Sequence, residues 1–282
     1  MDFVACDTLH EILEFLSKHN KQCKILSGGT DLLIALRNND QSLAHVKYIV
    51  SLNKIPSLRE IKVSETECKI GGAKTFKTIL SNQTMKHYYP ILVDAVSQIG
   101  SPQIRNVATI GGNICNLAAC ADSIAPLLMY DAKVKIQSKD SERVVPLEDI
   151  LIKPYTVDIQ SDEILSEILL PIPENTGRSC FYKLGRRRGV SISRLSYAIH
   201  MQIEDEVVLD FRIALGSLFP IPRRLQSIED EAIGLQENPQ LWRDVSRKVA
   251  RQIVDETGVR WSTHYKIPTI QQLLYTSLTE LT

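Results

Sequence analysis

Lys24-Ile25-Leu26-Ser27-Gly28-Gly29-Thr30-Asp31-Leu32 joins two patterns with no spacer between them. Lys24 to Leu26 reads as a short strand and Asp31 to Arg37 as a helix, so the two glycines must make the turn. Such a turn aims its own amides and the first amides of the helix at one point, which suits an anion. Glycine leaves no Cβ between the backbone and a phosphate. Thr30 adds a hydroxyl donor, and Asp31 is expected to cap the helix with its carboxylate turned away from a ligand. Neither the G-x-G-x-x-G of a nicotinamide site nor the G-K-S/T of a P-loop is present, which excludes those two kinds of phosphate site. Taken alone, a Gly-Gly between strand and helix is more simply a tight turn.

Outward from this turn, Thr8 and Glu11 have capping-box spacing, and Leu9, Ile12, Leu13 and Leu16 form a helical stripe. Tyr48 to Leu52 supplies another strand. Strand, helix, strand, helix, strand is βαβ logic with parallel strands. Beyond Pro56 the pattern changes. Ile61–Val63 and Cys68–Ile70 alternate around Glu65-Thr66 as a hairpin does. Helices are expected over Thr75–Leu80 and Ile91–Gln98, the latter behind Pro90, and Gly100-Ser101-Pro102-Gln103 reads as a loop. Lys133–Gln137 and Arg143–Pro146 form a second expected hairpin, and Glu163–Leu170 a further strand. Pro171 to Gly177, with two prolines, an asparagine and a glycine, is the expected domain boundary. After it, Val207–Leu209 and Phe211–Leu215 alternate as strands. Leu241, Val245, Val249 and Ile253 mark a helix that stops before Gly258, and a last helix is expected from Pro268 through Leu281.

Length and charge bound the function. At 282 residues the chain exceeds the usual ~100–200 residues of one domain. Lys plus Arg and Asp plus Glu balance at 33 each, giving no electrostatic case for nucleic acid or an anionic membrane surface. Neutrality also leaves little charge repulsion against life inside a complex. The cysteines at 6, 23, 68, 115, 120 and 180 include no C-x-x-C, so free and mostly buried thiols are expected, not a zinc site. No stretch approaches ~18 consecutive apolar residues, and the first residues lack a signal-peptide pattern. The expected location is cytoplasmic.

A second glycine pair stands some eighty residues on, in Thr109-Ile110-Gly111-Gly112-Asn113, followed by Ile114-Cys115-Asn116 and Ala121-Asp122-Ser123. Thr109, Asn113 and Asn116 can hydrogen-bond phosphate or ribityl oxygens, and Asp122 can accept from a hydroxyl. By itself this string fits a polar bend in a strand equally well.

Together the two segments resemble the FAD-binding subunits of xanthine dehydrogenase-like molybdenum hydroxylases. The family pattern is A-G-G-T-D-L, then T-I-G-G-N-I, then A-D-S and an apolar run. Here these stand as Ser27 to Leu32, Thr109 to Ile114, and Ala121-Asp122-Ser123 running on to Leu128. Gln103-Ile104-Arg105-Asn106-Val107-Ala108, Asp162-Glu163-Ile164-Leu165 and Phe181-Tyr182-Lys183-Leu184-Gly185-Arg186-Arg187 are also similar to the family. Order and spacing are kept over nearly the whole chain.

The resemblance implies an α+β chain. A two-subdomain flavin-binding domain covers 1–173, with a small βαβ unit over about 1–55 and a mixed or antiparallel sheet over about 56–173. A C-terminal domain, 178–282, carries a small antiparallel sheet and helices. FAD is the implied cofactor. Ile25, Leu26, Ser27, Gly28, Gly29, Thr30, Asp31 and Leu32 would wrap its diphosphate and adenosine side. Ala108, Thr109, Gly112, Asn113 and Cys115 would line the opposite loop, and Asp122 would bond a cofactor hydroxyl. Ile99 would sit near the isoalloxazine, with Leu165 and Lys183 closing the site. Cys115 and Ala121 depart from the commoner family residues.

No catalytic side chain and no metal site is expected in this chain. It has no C-x₄-C-x₂-C run and no room for a molybdopterin domain, so iron–sulfur clusters and molybdopterin are expected on partner subunits. Electrons would pass through FAD to NAD or another acceptor within a hetero-oligomer. Two alternatives stay open: a free-standing flavoprotein reductase or oxidase, and a non-enzymatic scaffold with vestigial flavin loops. Arg186-Arg187-Arg188 reads as a solvated loop or a source of partner salt bridges. Trp261, His264 and Tyr265 read as core or interface packing.

Overall fold

A computed structural model describes residues 1–173, 177–187 and 189–282. At its start Asp2–Ala5 (β1), Cys23–Leu26 (β2) and Tyr48–Ser51 (β3) pair in parallel in the order β1-β3-β2. Parallel neighbours need crossovers, and Leu9–His19 (α1) and Leu32–Arg37 (α2) provide them. Thr8 caps α1, its Oγ1 accepting from the Glu11 amide at 3.2 Å. The stripe Ile12, Leu13 and Leu16 buries against Val50 and Leu52 of the strand side. The expected βαβ unit is present.

A second sheet is antiparallel throughout, in the order β4-β5-β10-β6-β7. Its hairpins are Ile61–Val63 (β4) with Glu67–Gly71 (β5), and Lys133–Gln137 (β6) with Glu142–Pro146 (β7). A small pair, Leu151–Lys153 (β8) and Thr156–Val157 (β9), precedes the central strand Ile164–Pro171 (β10). Ile164, Leu165, Ser166, Ile168, Leu169 and Leu170 of β10 are all buried, as suits a strand covered on both faces. Six helices lie between β5 and β6: Phe76–Ser81 (α3), Gln83–Tyr88 (α4), Pro90–Ser97 (α5), Pro102–Val107 (α6), Ile110–Asn116 (α7) and Ile124–Met129 (α8); all but α6, which buries no residue, share that core.

The C-terminal part is an antiparallel sheet of Arg178–Gly185 (β11), Ser193–Glu204 (β12), Val207–Gly216 (β13) and Arg223–Arg224 (β14). Gln226–Ala232 (α9), Pro239–Thr257 (α10) and Thr263–Leu281 (α11) follow. Val245, Val249 and Ile253 of α10 and Ile270, Leu274 and Leu278 of α11 bury against Leu195, Tyr197, Ile199 and Met201 of β12. The Tyr197 hydroxyl lies 2.8 Å from Ser277 Oγ and donates to Leu273 O, fastening α11 to the sheet.

Several expectations need correction. The segment 100–103 is no plain loop. Ser101 caps α6 and Pro102 occupies its first position, where the missing amide costs nothing. Thr109 to Asn113 is not a bend in a strand but the start of α7, with Ile110 and Ile114 fully buried at i, i+4. The last helix begins five residues before Pro268. Its opening turn closes through Lys266 N to Ser262 O, so Pro268 lies inside the helix and offers no amide to the carbonyl four residues back. Among the described residues every cysteine is free, yet only Cys23 and Cys68 are buried. Trp261 is 75% exposed and so does not belong to the core. The expected boundary at Pro171–Gly177 contains residues 174–176, which lie outside the described residues, as does Arg188 of the arginine run. No helix of the described residues is long and apolar enough to cross a membrane.

Candidate functional site

The two glycine turns meet. Ser27 at the end of β2 and Thr109 at the start of α7 place their hydroxyl oxygens 2.8 Å apart, across 82 positions of sequence. Beside them the backbones touch: a Cβ on Gly28 would lie 2.3 Å from Val107 O and 2.8 Å from Ala108 Cα. Only glycine permits that approach. A second close contact supports the first from below. A Cβ on Gly111 would fall 2.4 Å from Gly72 O, and the Gly111 amide donates to that same oxygen at 3.0 Å. Gly72 in turn lies against the carbonyl of Leu165 in β10 and donates to Ser166 O. The convergence is therefore built on the central strand.

What each turn offers a ligand differs. The amides of Gly28, Gly29, Thr30 and Asp31 donate to no group among the described residues. Consecutive amides without partners form a concavity that favours an anion. On the second turn the amides are already used. Ile110 N donates to Lys74 O, Gly111 N to Gly72 O, Gly112 N to Thr109 Oγ1 and Asn113 N to Thr109 O. The second loop thus holds the first in place and contributes side chains, not a matching set of amides.

The side chains are arranged accordingly. Asp31 makes no capping bond to α2. Its carboxylate accepts from Thr30 Oγ1 at 3.0 Å and Asn116 Nδ2 at 3.2 Å, so its charge is met locally and Asn116 is occupied. Asn113 Oδ1 accepts from Ser123 Oγ at 2.7 Å, which orients its amide nitrogen. Next to Ser123, Asp122 is almost wholly buried and paired with Lys183 of β11 at 2.7 Å. Burial pushes the Asp122 carboxyl above the usual range, and the Lys183 ammonium beside it pulls the other way, helped by the nearby Ser193 and Ser196 hydroxyls. Its Oδ1 is nonetheless buried without a well-formed hydrogen bond, and so is Ser196 Oγ. A buried carboxylate oxygen in that condition is a ready acceptor for a ligand hydroxyl.

Lys183 also donates to Gln98 O at 2.9 Å, which brings Ile99 to the same end. Ile25 and Leu26 pack into the N-terminal core and Leu32 beside them, and Ala108 and Leu165 are buried at the two contacts described above. Cys115 alone of the expected site residues stands exposed with no such tie. Sequence reasoning missed Gly72, Gln98 and Ser123. Their signals were faint: a glycine pair closing a strand, a helix-end glutamine, and a serine after Asp122.

A family described as the FAD binding domain in molybdopterin dehydrogenase matches residues 1–173. The chain belongs to that family. A second family, the CO dehydrogenase flavoprotein C-terminal domain, matches residues 180–281. The xanthine dehydrogenase FAD-binding subunit of Escherichia coli O157:H7 is 34% identical, over 94% of this chain and 90% of that protein. The glyceraldehyde dehydrogenase medium chain of Sulfolobus acidocaldarius is 28% identical, over 99% and 97%. Carbon monoxide dehydrogenase from Hydrogenophaga pseudoflava, solved without the Mo-pyranopterin moiety, superposes with a TM-score of 0.90 at 22% identity, over 100% of this chain and 96% of that one. This is an FAD-binding subunit of the xanthine dehydrogenase and carbon monoxide dehydrogenase type, part of an oxidoreductase. That membership favours a subunit of an oxidoreductase over a free-standing flavoprotein reductase or oxidase and over a non-enzymatic scaffold with vestigial flavin loops.

The residues present suit FAD. Four unpartnered amides match a diphosphate, the glycines at 28 and 111 let the backbones that carry the site abut, and Asp122 holds a buried acceptor where a polyhydroxyl chain needs one.

Proposed function

We propose that this subunit receives electrons from an iron–sulfur centre on one partner subunit and passes them, through FAD, to NAD or another soluble acceptor, while a molybdopterin subunit oxidises the substrate. FAD supplies the redox chemistry when bound; the chain supplies binding and orientation. The amides of Gly28 to Asp31, with Ile25, Leu26, Ser27 and Leu32 behind them, hold the diphosphate and adenosine side. Ala108, Thr109, Gly112, Asn113 and Cys115 face them. Asp122 accepts from a ribityl hydroxyl, Ile99 flanks the ring, and Leu165 and Lys183 close the site. Residues 1–173 act as the FAD-binding domain and 178–282 as the C-terminal domain, in a cytoplasmic hetero-oligomer.

The free amides of the first turn, braced by the Ser27–Thr109 contact, support this reading most. Support for the partners comes from the names of the relatives, which are subunits or medium chains of dehydrogenases. The test is made on the purified complex. Removing this chain should abolish acceptor reduction, read as NADH formed or dye reduced, and adding back the FAD-loaded chain should restore it. Full-rate acceptor reduction without the chain and without FAD would refute the proposal.

A further inference from the structure

The turn that follows α5 is held by two cations. Lys183 Nζ donates to Gln98 O at 2.9 Å, and a single nitrogen of Arg105, Nη1, donates to both Ile99 O and Gly100 O at 2.9 Å each. Three successive carbonyls at the negative end of α5 are thus each met by a positive charge. In a trans peptide the carbonyl and the following amide point in opposite directions. With the carbonyls of Ile99 and Gly100 both drawn to Arg105, the amides of Gly100 and Ser101 are turned to the other side. Neither amide has a partner among the described residues, although both residues are half-buried.

From these contacts we infer that Arg105 is a positioning residue for the flavin ring: by pinning two carbonyls it presents the Gly100 and Ser101 amides, beside Ile99, as a fixed pair of donors to the ring. The inference rests on the proposed placement of Ile99 near the isoalloxazine. Its chemistry is that of preorganised donors. Two amides fixed toward an oxygen or nitrogen that gains negative charge on reduction favour the reduced ring over the oxidised one. Among the described residues the Arg105 side chain hydrogen-bonds to these backbone carbonyls. A loop free to rotate those peptides would lose the preference while keeping the diphosphate grip, which lies at the Gly28 to Asp31 turn.

The chain loaded with FAD tests this through Arg105→Ala and Arg105→Lys, with Arg105→Gln as the alternative should the alanine variant not fold. Each is measured for FAD content, visible flavin spectrum and midpoint potential. In Arg105→Ala the FAD content should stay near that of the parent. The preference for the reduced ring should fall about tenfold, which for a two-electron couple is a lowering of about 30 mV. Arg105→Lys should recover part of that shift because a cation again meets the carbonyls; Arg105→Gln should behave as the alanine variant does. An unchanged potential and spectrum at full FAD content, in the alanine or glutamine variant, overturns the inference. Failure of the parent chain itself to hold FAD would instead overturn the site proposed above.

Discussion

Replacing Gly28 by alanine sets the two halves of the cradle against each other. The added Cβ would stand 2.3 Å from Val107 O, whereas ordinary contact begins at 3.4 Å. The obstacle is backbone, so the turns must separate by roughly 1 Å. The Ser27–Thr109 contact, now 2.8 Å, would then stretch to about 3.8 Å, outside hydrogen-bond range. Losing it costs ~0.5–1.5 kcal/mol, and the overpacking adds ~1–3 kcal/mol. A total of about 2–4 kcal/mol corresponds to a Tm lower by roughly 5–15 °C. FAD content should fall with it, because the first turn's free amides lose the bracing of Thr109 and draw away from the side chains of the second loop. Gly112→Ala is the matched control: its Cβ meets the side-chain hydroxyl of Thr109 at 2.8 Å and no backbone, so its loss should stay below that of Gly28→Ala, at most the ~0.5–1.5 kcal/mol of the Thr109 contact. Urea titration with flavin absorbance reads both quantities. If Gly28→Ala keeps the parent's midpoint and full flavin, the turns do not abut and the convergence is wrong.

Three further outcomes follow from the same contacts. Gly112→Val, whose branch extends past Thr109 toward the first turn, should lose FAD while its circular dichroism stays that of the parent; retained flavin would count against the site. Lys183→Met strands the buried Asp122 carboxylate and should cost ~3–5 kcal/mol; the loss should grow as pH rises through the raised Asp122 value, since only the ionised form lacks its partner, and Asp122→Asn in the same chain should restore much of it. His200 is pushed below its usual pKa by burial, against the pull of Asp210 and with Arg212 adding to the depression. Its neutral form is favoured in the fold, so the stability it contributes is present above the unfolded value of ~6.5 and is lost as pH falls through the lower folded value. Unfolding titrations at pH 7 and pH 5 should show the parent losing more stability than His200→Asn; equal losses would remove His200 from the account.

The parts of the fold carried by local rules were legible. Strand-glycine-helix at Ser27 to Leu32 and the alternation of Ile61–Val63 with Cys68–Ile70 each follow from the order of side chains along a few residues. The first turn of α7 was ambiguous because Gly111-Gly112 is poor helix sequence; the signal outweighing it, Ile110 with Ile114 behind a Thr cap, spans only one turn. β12 escaped notice for a different reason. Leu195, Tyr197, Ile199, Met201 and Ile203 alternate with Arg194, Ser196, His200 and Gln202, so the period-two signal was present, but no Gly, Pro or Asn cluster bounds it tightly and Ala198 on the polar face is buried as well. Within the site, both glycine pairs and Asp122 could be named from the chain alone. That the amides of Ile110 and Gly111 would be consumed internally could not, because their acceptors, Lys74 O and Gly72 O, lie far away in sequence; those of Gly112 and Asn113 go to Thr109, a local cap. Arg105 and Gln98 carried no local mark of their joint role.

The Asp122–Lys183 pair has a bearing on how such chains can be recombined. One partner lies in the segment matched by the flavin-domain family and the other in the segment matched by the C-terminal family. Swapping the C-terminal segment between relatives is thus not a neutral exchange of modules: a graft lacking a lysine at this point in its first strand leaves a buried acid without its partner. Compatibility between the halves is written in opposed charges, since Arg212 and Arg224 of the C-terminal segment also pair with Asp131, and chimeras should be chosen by these positions before overall identity.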